Sequence, residues 1–398
     1  MRNTGNPHDT FDRPAVPMRS AQYSRVRQSV LLAALAWAAF YAAPGMAQSG
    51  AAPTVQTAPA TVTDVRRESG ARYENYAFRD GKALAKLRLH YATLGSPHRD
   101  AEGEIDNAVL MLHWTAADGG ALLTPEFMKA LYGPGRPLDA KRYFLVFPDN
   151  VGHGQSSKPS DGLKTGFPAY GYQDMVEVTE TLGIKRLHAI VGVSMGGMNA
   201  WQWAEAYPES VEGIIPVVAL PTRISGRNLL WRRMIVSAIQ SDPDWSQGNY
   251  VRQPRGLTDG YYLLRLVFDG VPRFQSTIPD QAAADKFIGS IGKQAKGHDA
   301  IDVLYTIKSS VDCDLESDFA KIKAKVYALG FDDGEFNPVR LGVLETLAKR
   351  VPGATYAVQA GSEQSHGHFT MAFPSLWAGR VASFMHLRGA SASAKDRN

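Results

Sequence analysis

The sequence predicts an α/β chain, in which a mostly parallel central sheet is flanked by helices and carries a helical insertion on top. Three observations lead there. Short β-rich runs alternate with helical patterns along most of the chain, as expected for parallel strands joined by crossover helices. Several of those runs are continuously apolar, as strands covered on both faces must be. The alternation also stops after Leu220 and resumes only beyond Ala300, leaving room for a separate helical segment.

Taken in order, Tyr73–Phe78 and Leu87–Ala92 are expected to form an opening hairpin. Ala108–His113 (AVLMLH) and Tyr143–Pro148 (YFLVFP) read as buried strands, the second ending in the turn-rich stretch Asp149–Ser157. Gln173–Leu182 is helical, Leu187–Val193 (LHAIVGV) a strand, Gly196–Tyr207 a helix and Gly213–Leu220 a strand. Residues 221–300 hold helical pieces, prolines and many aromatics without a clear strand, and are read as a lid. Alternation resumes with Lys325–Leu329 (KVYAL), a helix from Pro338 to Arg350, Thr355–Gln359 (TYAVQ) and a last helix from Pro374 to His386. The organisation expected is a core over 66–220, the insertion over 221–300 and a second part of the core over 301–390.

The first 47 residues read differently. Arg19, Arg25 and Arg27 precede the apolar run Leu31–Ala43, and Gly45-Met46-Ala47 places small residues at −3 and −1. That pattern is a secretory signal peptide cleaved after about Ala47, with Met18 as an alternative start. The run is too short to span a bilayer, which takes about 20 residues. The expected location is therefore periplasmic or secreted, with no stable membrane anchor after cleavage. Residues 48–65, rich in Ala, Thr and Pro, read as a flexible linker.

Composition narrows the function. With 44% hydrophobic and 21% charged residues the chain is of the folded, globular class. Its net charge of +4 is thinly spread, and no basic stripe is interleaved with aromatics, so nucleic acid is not an expected partner. The ten histidines are scattered, with no H-E-x-x-H and no Cys/His cluster, so neither metal nor cofactor is expected. Cys313 is the only cysteine, which rules out an intrachain disulfide and reads as a buried or idle thiol.

Gly192-Val193-Ser194-Met195-Gly196 fits G-x-S-x-G, and an apolar strand runs into it while a helix leaves it. A sharp strand-to-helix turn needs small residues on both sides of the serine and lifts its hydroxyl above the sheet, the nucleophile elbow of the α/β-hydrolase fold. A serine hydroxyl needs a base, and the base needs an orienting acid. In this fold they follow in the order serine, acid, histidine. Asp332 and Asp333 lie just after KVYAL, and His366 and His368 just after TYAVQ, so each role has two candidates. The oxyanion needs two backbone N–H donors, expected from Met195 and from the His113–Ala116 stretch, with Thr115 favoured over Trp114.

Four stretches, DNAVLMLHWTA, YGPGRPLDAKRYFLVFPDNVGHGQSS, GVSMGGMNAWQWAEAYP and SAIQSDPDWSQGNY, resemble the homoserine O-acetyltransferase family of α/β hydrolases over nearly all of the chain beyond the linker. DDGEFNP is similar to the family's acid-bearing D-x-x-F-x-P and favours Asp333, and Gly367-His368 matches the family's G-H and favours His368. The resemblance also implies a homodimer. Two departures stand out. The family's substrate-binding aspartate after the catalytic histidine is Phe369 here, and a substrate-binding arginine falls near Tyr261. A zwitterionic acceptor needs charged partners, so the expected site suits a less polar substrate. The lid aromatics Trp231, Trp245, Tyr250, Tyr262, Phe268 and Phe274 would then either line the site or form the lid's own core.

The function expected from these residues is a serine-dependent, esterase-type acyl hydrolase acting on a small, relatively apolar ester. The alternative is an O-acyltransferase, and a third reading is a binding protein that keeps the fold without catalysis.

Overall fold

The structure, a computed structural model, describes residues 67–316 and 318–385. The expected signal peptide and linker lie outside the described residues. Eight strands form one sheet in the order β1-β2-β4-β3-β5-β6-β7-β8. The opening hairpin, β1 (Arg67–Ala77) and β2 (Ala83–Leu94), is longer than its most β-rich residues indicate and joins the sheet antiparallel to β4 (Phe144–Pro148). From there β3 (Ala108–Leu112), β5 (Ala189–Val193), β6 (Gly213–Val217), β7 (Lys325–Phe331) and β8 (Thr355–Gln359) are all parallel. Every residue of β3, β5 and β6 is buried, which is why these strands read as unbroken apolar runs.

The crossovers follow the expected scheme. A single turn, α1 (Pro125–Phe127), is capped by the Thr124 side chain. Helix α2 (Tyr172–Glu180) leads to β5, and α3 (Met195–Ala206) leads from the turn at Ser194 to β6. No strand interrupts the chain between β6 and β7 among the described residues. In their place stand α4 (Gly226–Gln240), α5 (Gly256–Phe268), α6 (Val271–Thr277), α7 (Gln281–Ala295) and α8 (Ala300–Lys308). The helical insertion thus runs past residue 300, where the sequence pattern places its end. The side chain of Asp299 accepts from the Ile301 N–H and starts a new helix at that point. The predicted helix 338–350 is shorter than expected. Gly342 adopts φ +63°, so a single turn precedes α9 (Val343–Ala348). Two apolar clusters, one on each face of the sheet, make up the core, and the cluster containing Trp231, Ile235 and Leu257 ties the insertion to the sheet. Among the described residues no helix is long and apolar enough to cross a membrane.

Candidate active site

Ser194 ends β5 and starts α3 with φ +53° and ψ −114°. A serine is held in that sparsely populated region only when its surroundings over-determine it. The flanking glycines show how. A Cβ on Gly192 would sit 2.1 Å from the Gly196 carbonyl oxygen, and one on Gly196 would sit 2.3 Å from the Leu112 carbonyl oxygen. Strand, elbow and helix are in backbone contact, and no side chain larger than hydrogen fits between them.

His368 lies on the short 3₁₀ segment Gly367–Ala372 that follows β8. Its Nε2 is 2.9 Å from Ser194 Oγ. The imidazole is buried and stacks on Phe336, with ring centres 4.1 Å apart and planes inclined by 18°. Burial, assisted by the Arg232 charge, pushes its pKa down to about 3, so at neutral pH it is unprotonated and able to accept the serine proton. His366 goes elsewhere: its Nδ1 is 3.4 Å from Asp269 Oδ1 and its ring stacks on Phe373 at 3.9 Å. Only one of the two sequence candidates reaches the serine.

The two aspartates also separate. Asp332 accepts the Gly361 N–H at 2.5 Å, a link between the loops that follow β7 and β8. Asp333 Oδ2 accepts from Ser365 Oγ at 2.6 Å and from the Gly367 N–H at 3.1 Å, immediately before the histidine. Its other oxygen, Oδ1, is buried with no hydrogen-bond partner. Asp333 therefore holds the histidine-bearing loop, while no hydrogen bond joins it to the His368 ring in this structure.

The Met195 and Thr115 backbone N–H groups donate no hydrogen bond among the described residues and remain free to hold an oxyanion. The loop that carries Thr115 is set by a residue the sequence reading overlooked. His113 Nε2 accepts the Asn150 N–H at 3.1 Å, so the ring proton sits on Nδ1, which lies 2.9 Å from the Trp114 carbonyl. Burial lowers the His113 pKa and keeps this neutral tautomer. The Gly196 N–H donates to the His113 carbonyl at 3.0 Å, tying loop to elbow. The available signal was a histidine ending an otherwise apolar strand.

A cavity opens beside Ser194 and His368, lined also by Met198, Ile224, Phe336 and Arg232, among others. None of the six lid aromatics singled out in the sequence lines it. Trp231 packs edge-on to Phe336 at 4.8 Å, and Trp245 pairs with Tyr250 at 5.5 Å, as lid core. Phe369 is buried against Phe268 and Trp114, and Tyr261 is buried against His298. Arg232, which no motif singles out, is the buried cation of this cavity. Cys313 is fully buried; desolvation, then the charges of Asp312 and Asp314, raise its thiol well above the usual range, so it is inert.

A family model for the alpha/beta hydrolase fold matches residues 127–255. A probable acyltransferase of Methanothermobacter thermautotrophicus is 27% identical over 289 residues, covering 71% of this chain and 87% of that protein. The homoserine O-acetyltransferase of Rhodopseudomonas palustris is 34% identical over 191 residues, covering 43% of this chain and 46% of the relative. The chain has the α/β-hydrolase fold and is similar in sequence to homoserine O-acetyltransferases. It spans about half the length of the homoserine O-acetyltransferases it matches. An acetylester hydrolase from Corynebacterium glutamicum has the same fold, with a TM-score of 0.70 at 18% identity, covering 80% of this chain and 96% of that one. The fold of this α/β hydrolase therefore occurs in proteins named for acyl transfer and for ester hydrolysis alike.

Proposed function

We propose that this α/β hydrolase is an exported, esterase-type acyl hydrolase. The observation that carries the reading is the 2.9 Å approach of a neutral, buried His368 Nε2 to the hydroxyl of Ser194 on a strained elbow. Ser194 Oγ attacks the ester carbonyl while its proton passes to His368 Nε2. The Met195 and Thr115 N–H groups hold the oxyanion, which costs little reorganisation because the loop and the helix start are already anchored. Collapse of the intermediate expels the alcohol, which takes the proton from His368. Water then attacks the acyl-enzyme, giving its proton to the same imidazole, and the carboxylic acid leaves with Ser194 regenerated.

Asp333 supports the base. Its partnerless Oδ1 is a buried acceptor next to the histidine loop, and closing a bond to the imidazole would stabilise the cation formed at each proton transfer. Phe369 and the apolar lining by Met198, Ile224 and Phe336 favour an ester with apolar parts. Export, read from the run Leu31–Ala43, removes the chain from cytoplasmic acyl donors and leaves water as the default acceptor.

The test is hydrolysis of a short-to-long series of p-nitrophenyl esters by the mature chain, with Ser194→Ala as control. Loss of release in the variant, by about 10⁴-fold or more, supports the mechanism; full release would refute it. A second reading, acyl transfer to a small alcohol, draws on the relatives named as acyltransferases. It requires acylated acceptor among the products when an alcohol is added.

A further inference from the structure

Arg232 lies on α4 and is 5% exposed. It makes no ion pair among the described residues. Its Nε donates to Asn228 Oδ1 at 3.0 Å, and one terminal nitrogen makes two long contacts, to the Ile307 carbonyl at 3.5 Å and to Ser310 Oγ at 3.4 Å. All three partners are neutral, as are the nearby Tyr172 hydroxyl and the Trp231 ring, whose centre lies 4.9 Å from the guanidinium carbon. A guanidinium withdrawn from water without a counter-charge is destabilising. Buried charges are normally paired.

The surroundings extend the pattern. No aspartate or glutamate is among the residues lining the cavity that Arg232 shares with Ser194 and His368. The other arginine of that cavity, Arg223, is already neutralised by Asp314 at 2.8 Å. Two more buried polar groups gather near Arg232, the Tyr172 hydroxyl and Thr115 Oγ1, and both are neutral. Thr115 belongs to the loop that supplies the oxyanion donor. A buried cation without a counter-charge, backed by two neutral hydroxyls, therefore shares a cavity with Ser194 and His368.

We infer that Arg232 is a specificity-determining residue and that the preferred ester carries a carboxylate, which pairs with the guanidinium and accepts from the nearby hydroxyls. A planar fork of donors suits a carboxylate, and a charge-assisted bond is roughly twice as strong as a neutral one. The substrate itself then supplies the missing counter-charge. This inference rests on the hydrolase reading for its turnover assay and refines its substrate class from an apolar ester to an anionic one. The carboxylate can be carried by the acyl part or by the alcohol part, and the assay separates the two.

The experiment compares anionic and neutral esters of matched shape: monoethyl against diethyl malonate, succinate, glutarate and adipate for the acyl side, and acetoxyacetate against its methyl ester for the alcohol side. The wild-type chain is expected to prefer the anionic member of at least one pair, and Arg232→Met to reduce that preference, measured as a ratio of kcat/KM, by roughly 10- to 100-fold. Arg232→Lys keeps the charge without the fork and should retain an intermediate preference. The side on which preference appears identifies the carrier. Binding is read separately, by calorimetric titration of Ser194→Ala protein with the same pairs, so a chain that turns over no ester still reports on Arg232. Tighter binding of the anionic ester that disappears in the Ser194→Ala/Arg232→Met protein supports the inference even if the hydrolase reading fails. Equal kcat/KM and equal binding within each pair, or a preference that survives Arg232→Met in a folded protein, would overturn it while leaving the hydrolase reading intact.

Discussion

Replacing Gly192 by alanine tests whether the elbow works through backbone contact. The added Cβ would lie 2.1 Å from the Gly196 carbonyl oxygen, 2.3 Å from its carbon and 2.7 Å from the Gly197 nitrogen. Carbon needs about 3.5 Å from such atoms, so the overlap exceeds 1 Å, and all three atoms are backbone of the first turn of α3. No rotamer change relieves it; strand and helix must part. Overpacking of this kind is destabilising by about 1–3 kcal/mol, equivalent to a fall in Tm on the order of 1–5 °C for a chain of this size. Catalysis should suffer more. A shift of about 1 Å in a reacting group lowers turnover roughly 100-fold, and here Ser194 moves relative to both His368 and the Met195 N–H. The assays are p-nitrophenyl acetate turnover and thermal unfolding, with Gly289→Ala as control. Gly289 is an exposed helical residue whose Cβ would meet nothing within 4 Å, so that change should leave turnover alone and add about 0.5–1 kcal/mol of stability. Wild-type turnover in Gly192→Ala would refute the contact explanation of the motif.

Other consequences can be checked with the same assays. Asp333→Asn should lower kcat by about 10³-fold or more if Oδ1 supports the imidazole in the reacting complex, whereas Asp332→Asn, which loses only the link to Gly361, should change it less than 10-fold; equal effects would displace Asp333 from the site. Because His368 sits well below the ordinary histidine value, the acid limb of kcat/KM should fall below pH 6, and a midpoint near 6.5 would show that burial does not govern it. Stability follows the same sign. His153 and His368 are held near 3 when folded and return to about 6.5 when unfolded, so the unfolded chain binds more protons between those values and stability drops as pH falls, by about 1.4 kcal/mol per unit for each histidine. Thermal melts from pH 7 to pH 4 should show a steep loss, and a flat profile would contradict the buried neutral assignment. The buried Cys313 thiol should stay unreactive toward a thiol reagent until the protein unfolds, and rapid labelling of the native chain would refute its burial.

Much of this molecule is local and hence readable in the chain. Strands buried on both faces must be apolar throughout, so AVLML and AIVGV announce themselves. The elbow needs small residues at fixed spacing around one serine, so G-x-S-x-G in a strand-to-helix context identifies Ser194. Order along the chain then restricts the acid and the base to two residues each. Choosing within each pair by packing required the tertiary structure, because adjacent residues on one loop point to different neighbours. His368 faces the serine while His366 faces Asp269. The extent of the insertion was equally hidden, since α8 joins the lid by packing against α4 rather than by any mark at residue 300. His113 and Arg232 were beyond sequence reading altogether. A histidine at a strand end and one of three arginines on α4 acquire their roles from partners that are 37 and 75 or more residues away. Only folding decides which cation is left in the interior without a counter-charge, because pairing is a property of space and not of order along the chain.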